Sequence, residues 1–85
     1  MNSKVNEAFR SWLINSYSLQ TRSAGDVISR RNKLLSIVAN PMEMTMEQVK
    51  QALDDEFSKG EFTKATLRAM VRSEKLFRQF YRSVQ

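Results

Sequence analysis

The sequence contains neither cysteine nor histidine among its 85 residues. Without cysteine there can be no disulfide and no thiolate metal ligand, and without histidine there is no imidazole ligand or histidine general base. No apolar run approaches the roughly 20 residues of a transmembrane helix, and polar side chains interrupt the segment 5–13 that a signal peptide would need. We therefore expect a cytoplasmic, non-enzymatic protein with no cofactor, no metal, no small-molecule substrate and no membrane contact.

Glycine and proline are scarce, with two glycines and one proline, and strand-like alternation never persists beyond a few residues. Such a chain favours helices joined by short loops. Its length suits one domain, 1–85, with one core. The spacing of apolar residues predicts helices at about 4–15, 22–39, 46–57 and 64–82, and hence an all-α bundle of four helices.

Capping signals support the starts of the last two helices. Thr45, followed three residues later by Gln48, predicts a capping box at the third helix. Thr63 is expected to cap the fourth helix. Gly60 lies where the chain should leave the third helix, at a position that suits glycine.

The second helix is less regular. Thr21 or Ser23 can cap its start, and Asn40-Pro41 is expected to end it because the residue before proline disfavours the helical conformation. Arg31 interrupts its apolar face, so either the side chain reaches solvent or the helix is rotated or shorter than predicted. The apolar face comprises Ala24, Val27, Ile28, Leu34, Leu35 and Val38.

Charge is segregated along the chain, whose net charge is +5. Segments 1–40 and 63–85 carry +4 and +5, whereas segment 41–62 carries −4. In the fourth helix most of the basic residues, together with Gln79, share one narrow arc, and the single acidic residue, Glu74, lies outside that arc. Like charges four residues apart repel, and a polyanion would relieve that repulsion. The arc comprises Lys64, Arg68, Arg72, Lys75, Gln79 and Arg82.

The second helix repeats this pattern less strongly, and its polar side comprises Arg22, Asp26, Ser29, Arg30 and Lys33. Arginine and lysine hold phosphates or read guanine edges, and the serine hydroxyl supplies a shorter polar contact. A solvated helix face would show the same composition, so the charge pattern alone leaves this simpler interpretation open. The carboxylate run 54–56 is interpreted as such a solvated face, because consecutive residues point in different directions around a helix.

Two stretches resemble the N-terminal core-binding domain of tyrosine recombinases (phage integrases). The first combines Phe9-Arg10-x-Trp12-Leu13, a short polar loop and Thr21-x-Ser23-Ala24-x-Asp26-Val27-Ile28-Ser29-Arg30. The second runs from Thr66-Leu67-Arg68 through Phe77-Arg78-Gln79-Phe80-Tyr81, where a basic helix ends in aromatic residues. Arg31 departs from the family pattern, which usually has an apolar residue at that place.

This resemblance implies a SAM-like helical bundle that lays two helices across the major groove of double-stranded DNA. The implied contacts are Thr21, Arg22, Ser29, Arg30 and Lys33 on the second helix and Lys64, Arg68, Arg72 and Lys75 on the fourth, to which the charged arc adds Arg82. The family's catalytic domain is not present in the sequence. We therefore expect a non-catalytic DNA-binding module of the mobile-element type, related to phage DNA recombination, as an excised domain or as a stand-alone relative.

An alternative is a small regulator that docks on another protein. The aromatic face of the fourth helix, Phe77, Phe80 and Tyr81, would then be the contact surface. Exposure discriminates between the two hypotheses, because a docking surface requires these rings to form a contiguous patch facing solvent.

Overall fold

The computed structural model describes residues 3–84 as four α-helices and one short 3-10 helix. The helices are α1 (Ser3–Asn15), α2 (Thr21–Ile37), α3 (Met46–Phe57) and α4 (Lys64–Ser83), and the 3-10 helix η1 (Pro41–Glu43) connects α2 to α3. No strand occurs within these described residues. The all-α bundle of four helices is confirmed. No helix in the same range is both long and apolar enough to cross a membrane.

The hydrophobic core has two halves, which α2 and α4 share in antiparallel directions. The start of α2 and the end of α4 form the first half together with α1. The end of α2 and the start of α4 form the second half together with α3. The first half contains Phe9, Leu13, Ala24, Val27, Ile28, Leu76, Phe77 and Phe80, and the second contains Leu34, Val38, Val49, Leu53, Met70 and Val71.

Both capping predictions for the later helices are confirmed. The Thr45 hydroxyl accepts a hydrogen bond from the Gln48 amide at 3.1 Å, and the Gln48 side chain accepts one from the Thr45 amide at 2.9 Å. The Thr63 hydroxyl accepts from the Thr66 amide at 3.2 Å. Two residues after the C-cap of α3, Gly60 has a φ of 76°, a conformation that glycine adopts without steric cost.

The predicted capping residue and the predicted C-terminal end of α2 are wrong. Its N-cap is Gln20, whose side chain makes no capping hydrogen bond, while Thr21 and Ser23 lie inside the helix. The helix ends at Ile37 because Val38 turns to an extended conformation and packs into the second core half. The chain is therefore already extended before it reaches Pro41, which begins η1. Leu35, expected to be buried, is half-buried.

Arg31 does not reach solvent, contrary to one of the two explanations that the sequence left open. Its side chain is buried, its guanidinium lies 3.4 Å from the centroid of the Phe77 ring, and its Nε donates to Oε1 of Glu74 at 3.0 Å. The predicted apolar face of α2 is nevertheless turned inward, so the helix is not rotated. The helix is shorter than predicted, because it ends at Ile37 and not at about residue 39. Arg31 is accommodated in the core by a counter-charge from α4.

Candidate nucleic-acid interface

The exposed face of α4 is cationic along its whole length. Much of the circumference of this helix is covered by α1, α2 and α3, and the basic arc predicted from the sequence lies in the part left open. The acidic residue of the helix, Glu74, is fully buried. From Lys64 to Arg82 the arc extends about 27 Å at 1.5 Å per residue. Its exposed cations are Lys64, Arg68, Arg72, Lys75 and Arg82.

A groove between α2 and α4 brings cations from both helices together. Arg30 of α2 and Arg72 of α4 border it, with Asp26 as the carboxylate on its edge. The small side chains of Ser23 and Ala69 border the same groove, so the two arginines flank open space. Here a predicted residue of the second helix meets a predicted residue of the fourth.

A second groove runs along the opposite side of the basic arc, between α4 and α3. Its cationic residues are Lys50 of α3 and Arg68, Arg72 and Lys75 of α4. Arg72 borders both grooves, so the two lie on either side of this residue on the exposed face of α4. The remaining residues along the second groove are Asp54, Leu67 and Val71.

The other predicted contacts on α2 lie outside the first groove. At 100° per residue, Arg22 and Ser29 are about 80° and 100° from Arg30 around the helix axis, and Thr21 is on the opposite side. All three side chains are exposed. Arg22 and Ser29 therefore lie on the side of α2 that is farther from α4 than Arg30. Thr21 lies on a different face of the helix, and none of the three borders the groove.

Lys33 has a different environment from the cations of the two grooves. It borders a cavity together with Glu56 and Glu61, which come from the acidic segment 41–62. These carboxylates offset its charge, so Lys33 contributes less to a positive surface than its sequence position suggested. Lys33 borders neither of the two grooves.

The cations of the interface are not engaged in ion pairs within residues 3–84. The ion pairs formed in that range use Arg31, Lys59 and Arg78. Arg82 donates from Nε to the Arg78 carbonyl oxygen at 3.4 Å, which leaves its charge unneutralised. The guanidinium and ammonium groups of the basic arc of α4 are therefore available to an external anion, whereas Arg78, outside the arc, is already paired with Glu74.

The aromatic residues of α4 do not form one exposed surface. Phe77 and Phe80 are 6% and 5% exposed and pack against Phe9 in the first core half. Tyr81 is 43% exposed. It borders a shallow cleft with Met42, Met46 and Arg82. A contiguous patch of the three rings, as the protein-docking hypothesis requires, is not present.

Residues 3–84 contain no group of three carboxylates arranged to hold a metal ion. The run Asp54-Asp55-Glu56 disperses around α3, as the periodicity of a helix requires. Asp54 borders the groove with α4, whereas Glu56 borders the cavity near Lys33.

Lys50 is the residue of this surface that the sequence analysis missed. It lies in segment 41–62, whose net charge is negative. Its position on α3, one residue after the buried Val49 and four before Asp54, places it at the edge that faces α4. The sequence of α3 indicates that Lys50 lies at the edge of its buried face, but it does not indicate which helix packs beside that edge.

Compared with known proteins, the chain matches no family model, no curated protein and no solved structure.

Proposed function

We propose that this protein binds double-stranded DNA without cleaving it, through the cationic face of α4 and the adjoining edge of α2. The observation that carries the proposal is the exposed arc of α4, which bears five cations and no exposed carboxylate. Unpaired cations in a row repel one another, and a row of phosphates neutralises them while releasing condensed counterions.

The groove between α2 and α4 supports a duplex as the ligand. Arg30 and Arg72 come from different helices and border the same open space, so a phosphate there could be contacted from two directions. Arginine donates through a planar fork that fits a phosphate or the edge of a guanine. The α4 arc, about 27 Å long, is long enough to follow DNA over several base pairs.

The resemblance to the core-binding domain of tyrosine recombinases agrees with this proposal. It leads us to propose a role in the DNA transactions of a mobile element, such as phage recombination. The contacts common to the resemblance and to the grooves are Arg30, Arg68, Arg72 and Lys75. Thr21, Arg22, Ser29 and Lys33 are proposed as peripheral contacts, since they lie away from the groove in which Arg30 and Arg72 meet.

The test is binding to a labelled duplex of random sequence, measured over a range of salt concentrations. We expect log K to fall linearly with log[salt], with a slope of about −0.9 per phosphate contacted. The charge-reversal variant Arg68→Glu/Arg72→Glu should lose binding and keep its helicity. A matched control, Arg10→Glu/Lys59→Glu, changes the net charge equally but lies outside both grooves and should bind more tightly than the first variant.

Two results would contradict the proposal. One is the absence of duplex binding at about 50 mM salt, where phosphate contacts are strong. The other is equal loss of affinity in the two charge-reversal variants, because this would show that net charge and not the α4 surface controls binding. RNA of the same sequence is the further comparison, since the deep, narrow major groove of A-form RNA excludes side chains, and we expect it to bind more weakly.

A protein-docking function retains one supporting feature, the exposed ring of Tyr81 beside Met42, which is also exposed. This surface is smaller than the three-ring patch first considered. Because Tyr81 lies at the end of α4 opposite Lys64 and Arg68, the two functions can be separated by mutation.

A further inference from the structure

We propose that the groove between α3 and α4 receives the sugar–phosphate backbone of the second DNA strand, with Lys50 of α3 as its outer contact. In this arrangement α4 lies along the major groove of the duplex, α2 contacts one backbone and α3 contacts the other. The inference rests on the DNA binding proposed above and extends the interface from two helices to three.

The charge along this groove fits a phosphate backbone. Four cations border it, and Asp54 is its one carboxylate. Lys50, Arg68, Arg72 and Lys75 are all exposed and form no ion pair within the part of the chain described here. Since three of the cations come from α4 and one from α3, an anion in the groove is contacted from both walls.

The position of α4 between its neighbours gives the second argument. α4 packs closely against both α2 and α3, whereas α2 and α3 approach each other less closely and meet through side chains of the second core half. The two helices therefore flank α4 on different sides. Arg30 on α2 and Lys50 on α3 border the two grooves on either side of the exposed arc, and Arg72 borders both grooves.

The dimensions suit a duplex whose major groove receives α4. Packed helices lie about 8–10 Å apart, so the axes of α2 and α3 are separated by up to about 20 Å across α4. The major groove of B-DNA is about 12 Å wide and admits one helix between its two backbones. Long arginine and lysine side chains on the flanking helices can cover the remaining separation.

Asp54 places one negative charge in a groove that is otherwise lined by cations and apolar side chains. It lies one turn after Lys50 on α3 and would repel a phosphate bound there. Its carboxylate should therefore weaken the contact with the second backbone without affecting the contact that Arg30 makes with the first. Replacing it by asparagine removes the repulsion and preserves the shape of the side chain.

The experiment compares Lys50→Gln with Lys59→Gln, which removes an exposed lysine outside both grooves. Duplex affinity and its salt dependence are measured for each, and phosphate-ethylation interference identifies the backbone positions contacted on each strand. We expect Lys50→Gln to weaken binding severalfold and to reduce the salt slope by about 0.9, the value for one phosphate contact. Lys59→Gln should match the unmodified protein.

The interference pattern separates the two backbones. In the unmodified protein, ethylation should interfere on both strands that border one major groove. Lys50→Gln should lose the interference on one strand, Arg30→Gln should lose it on the other, and Asp54→Asn should bind more tightly. If Lys50→Gln binds like the unmodified protein while Arg68→Gln weakens binding, then α3 is not a contact surface and the inference is wrong, although DNA binding stands. If the unmodified protein binds no duplex, the proposed function fails, and this inference fails with it.

Discussion

Arg31 of α2 and Glu74 of α4 form a buried ion pair at the boundary between the two halves of the core, with 3.0 Å between Nε and Oε1. Glu74 is fully buried and also accepts a hydrogen bond from Arg78 at 2.9 Å. One carboxylate thus joins α2 to α4 and holds a second arginine of α4 in place. This arrangement also removes the acidic residue of α4 from the surface, which leaves the exposed face of that helix cationic.

The carboxylate of Glu74 should be essential for stability. Replacing it with glutamine leaves the buried guanidinium of Arg31 without a counter-charge, and losing one member of a buried pair costs about 3–5 kcal/mol. We expect Glu74→Gln to lower the free energy of unfolding by that order, measured by urea denaturation. Glu61→Gln, an exposed change in a loop, should stay within about 0.5 kcal/mol of the unmodified protein. Equal stability of both variants would contradict a structural role for the pair.

The charge of Arg31 should produce no pH dependence near neutrality. Burial lowers the pKa of Arg31, and the charge and hydrogen bond of Glu74 oppose that effect. The unfolded chain therefore binds this proton more tightly, and stability rises with pH only between the folded and unfolded pKa values, in strongly alkaline solution. The destabilisation caused by Arg31→Met should be the same at pH 6 and pH 9. A difference that grows between those values would show that Arg31 loses its proton in the folded state.

Arg78 should hold the connection between α2 and α3 in place. Its Nη2 donates to the carbonyl oxygens of Pro41, the first residue of η1, at 2.5 Å and of Met44, the residue after η1, at 2.6 Å. Lysine lacks the planar fork that makes these bonds together with the bond to Glu74. We expect Arg78→Lys to cost about 1.5–3 kcal/mol, the value of hydrogen bonds from a charged group. The Met44 amide, which bonds to Pro41, should exchange its hydrogen faster, whereas the exposed Arg82→Lys should leave that rate unchanged.

The helix caps allow a direct comparison between Thr45, which caps a helix, and Ser23, which does not. Thr45 makes a capping box, and Thr45→Ala should destabilise the protein by about 1 kcal/mol in thermal or urea unfolding. Ser23 lies inside α2, so Ser23→Ala should be neutral or slightly stabilising. At the true N-cap, Gln20→Asp supplies the missing acceptor and should add stability. A cost for Ser23→Ala equal to that for Thr45→Ala would place the start of α2 near Ser23 instead.

Tyr81 should be dispensable for DNA binding if the basic arc is the interface. Tyr81→Ala removes an exposed ring from the cleft beside Met42 and leaves the cations of α4 unchanged. We expect unchanged duplex affinity and a small change in stability, measured by anisotropy and urea denaturation. A large loss of affinity would show that this cleft is part of the DNA-binding surface.

The helix boundaries show where nearby residues in the sequence were sufficient to predict the start or end of a helix. The starts of α3 and α4 were predicted correctly because the caps of Thr45 and Thr63 are made with residues three positions away. The end of α2 was not, because it depends on where Val38 packs in the second half of the core. Proline at position 41 limited how far the helix could extend but did not set its last residue.

The sequence by itself determined the four helices and the cationic arc of α4, since both follow from spacing along a single helix. Only the tertiary structure decided which of those cations have neighbours from other helices. Arg30 and Lys50 border the grooves beside α4, whereas Lys33 lies near Glu56 and Glu61. It also decided that Arg31 is buried, because its counter-charge, Glu74, lies 43 residues away along the chain. Periodicity specifies the direction of a side chain from its own helix, but the groups it meets depend on how the helices pack together.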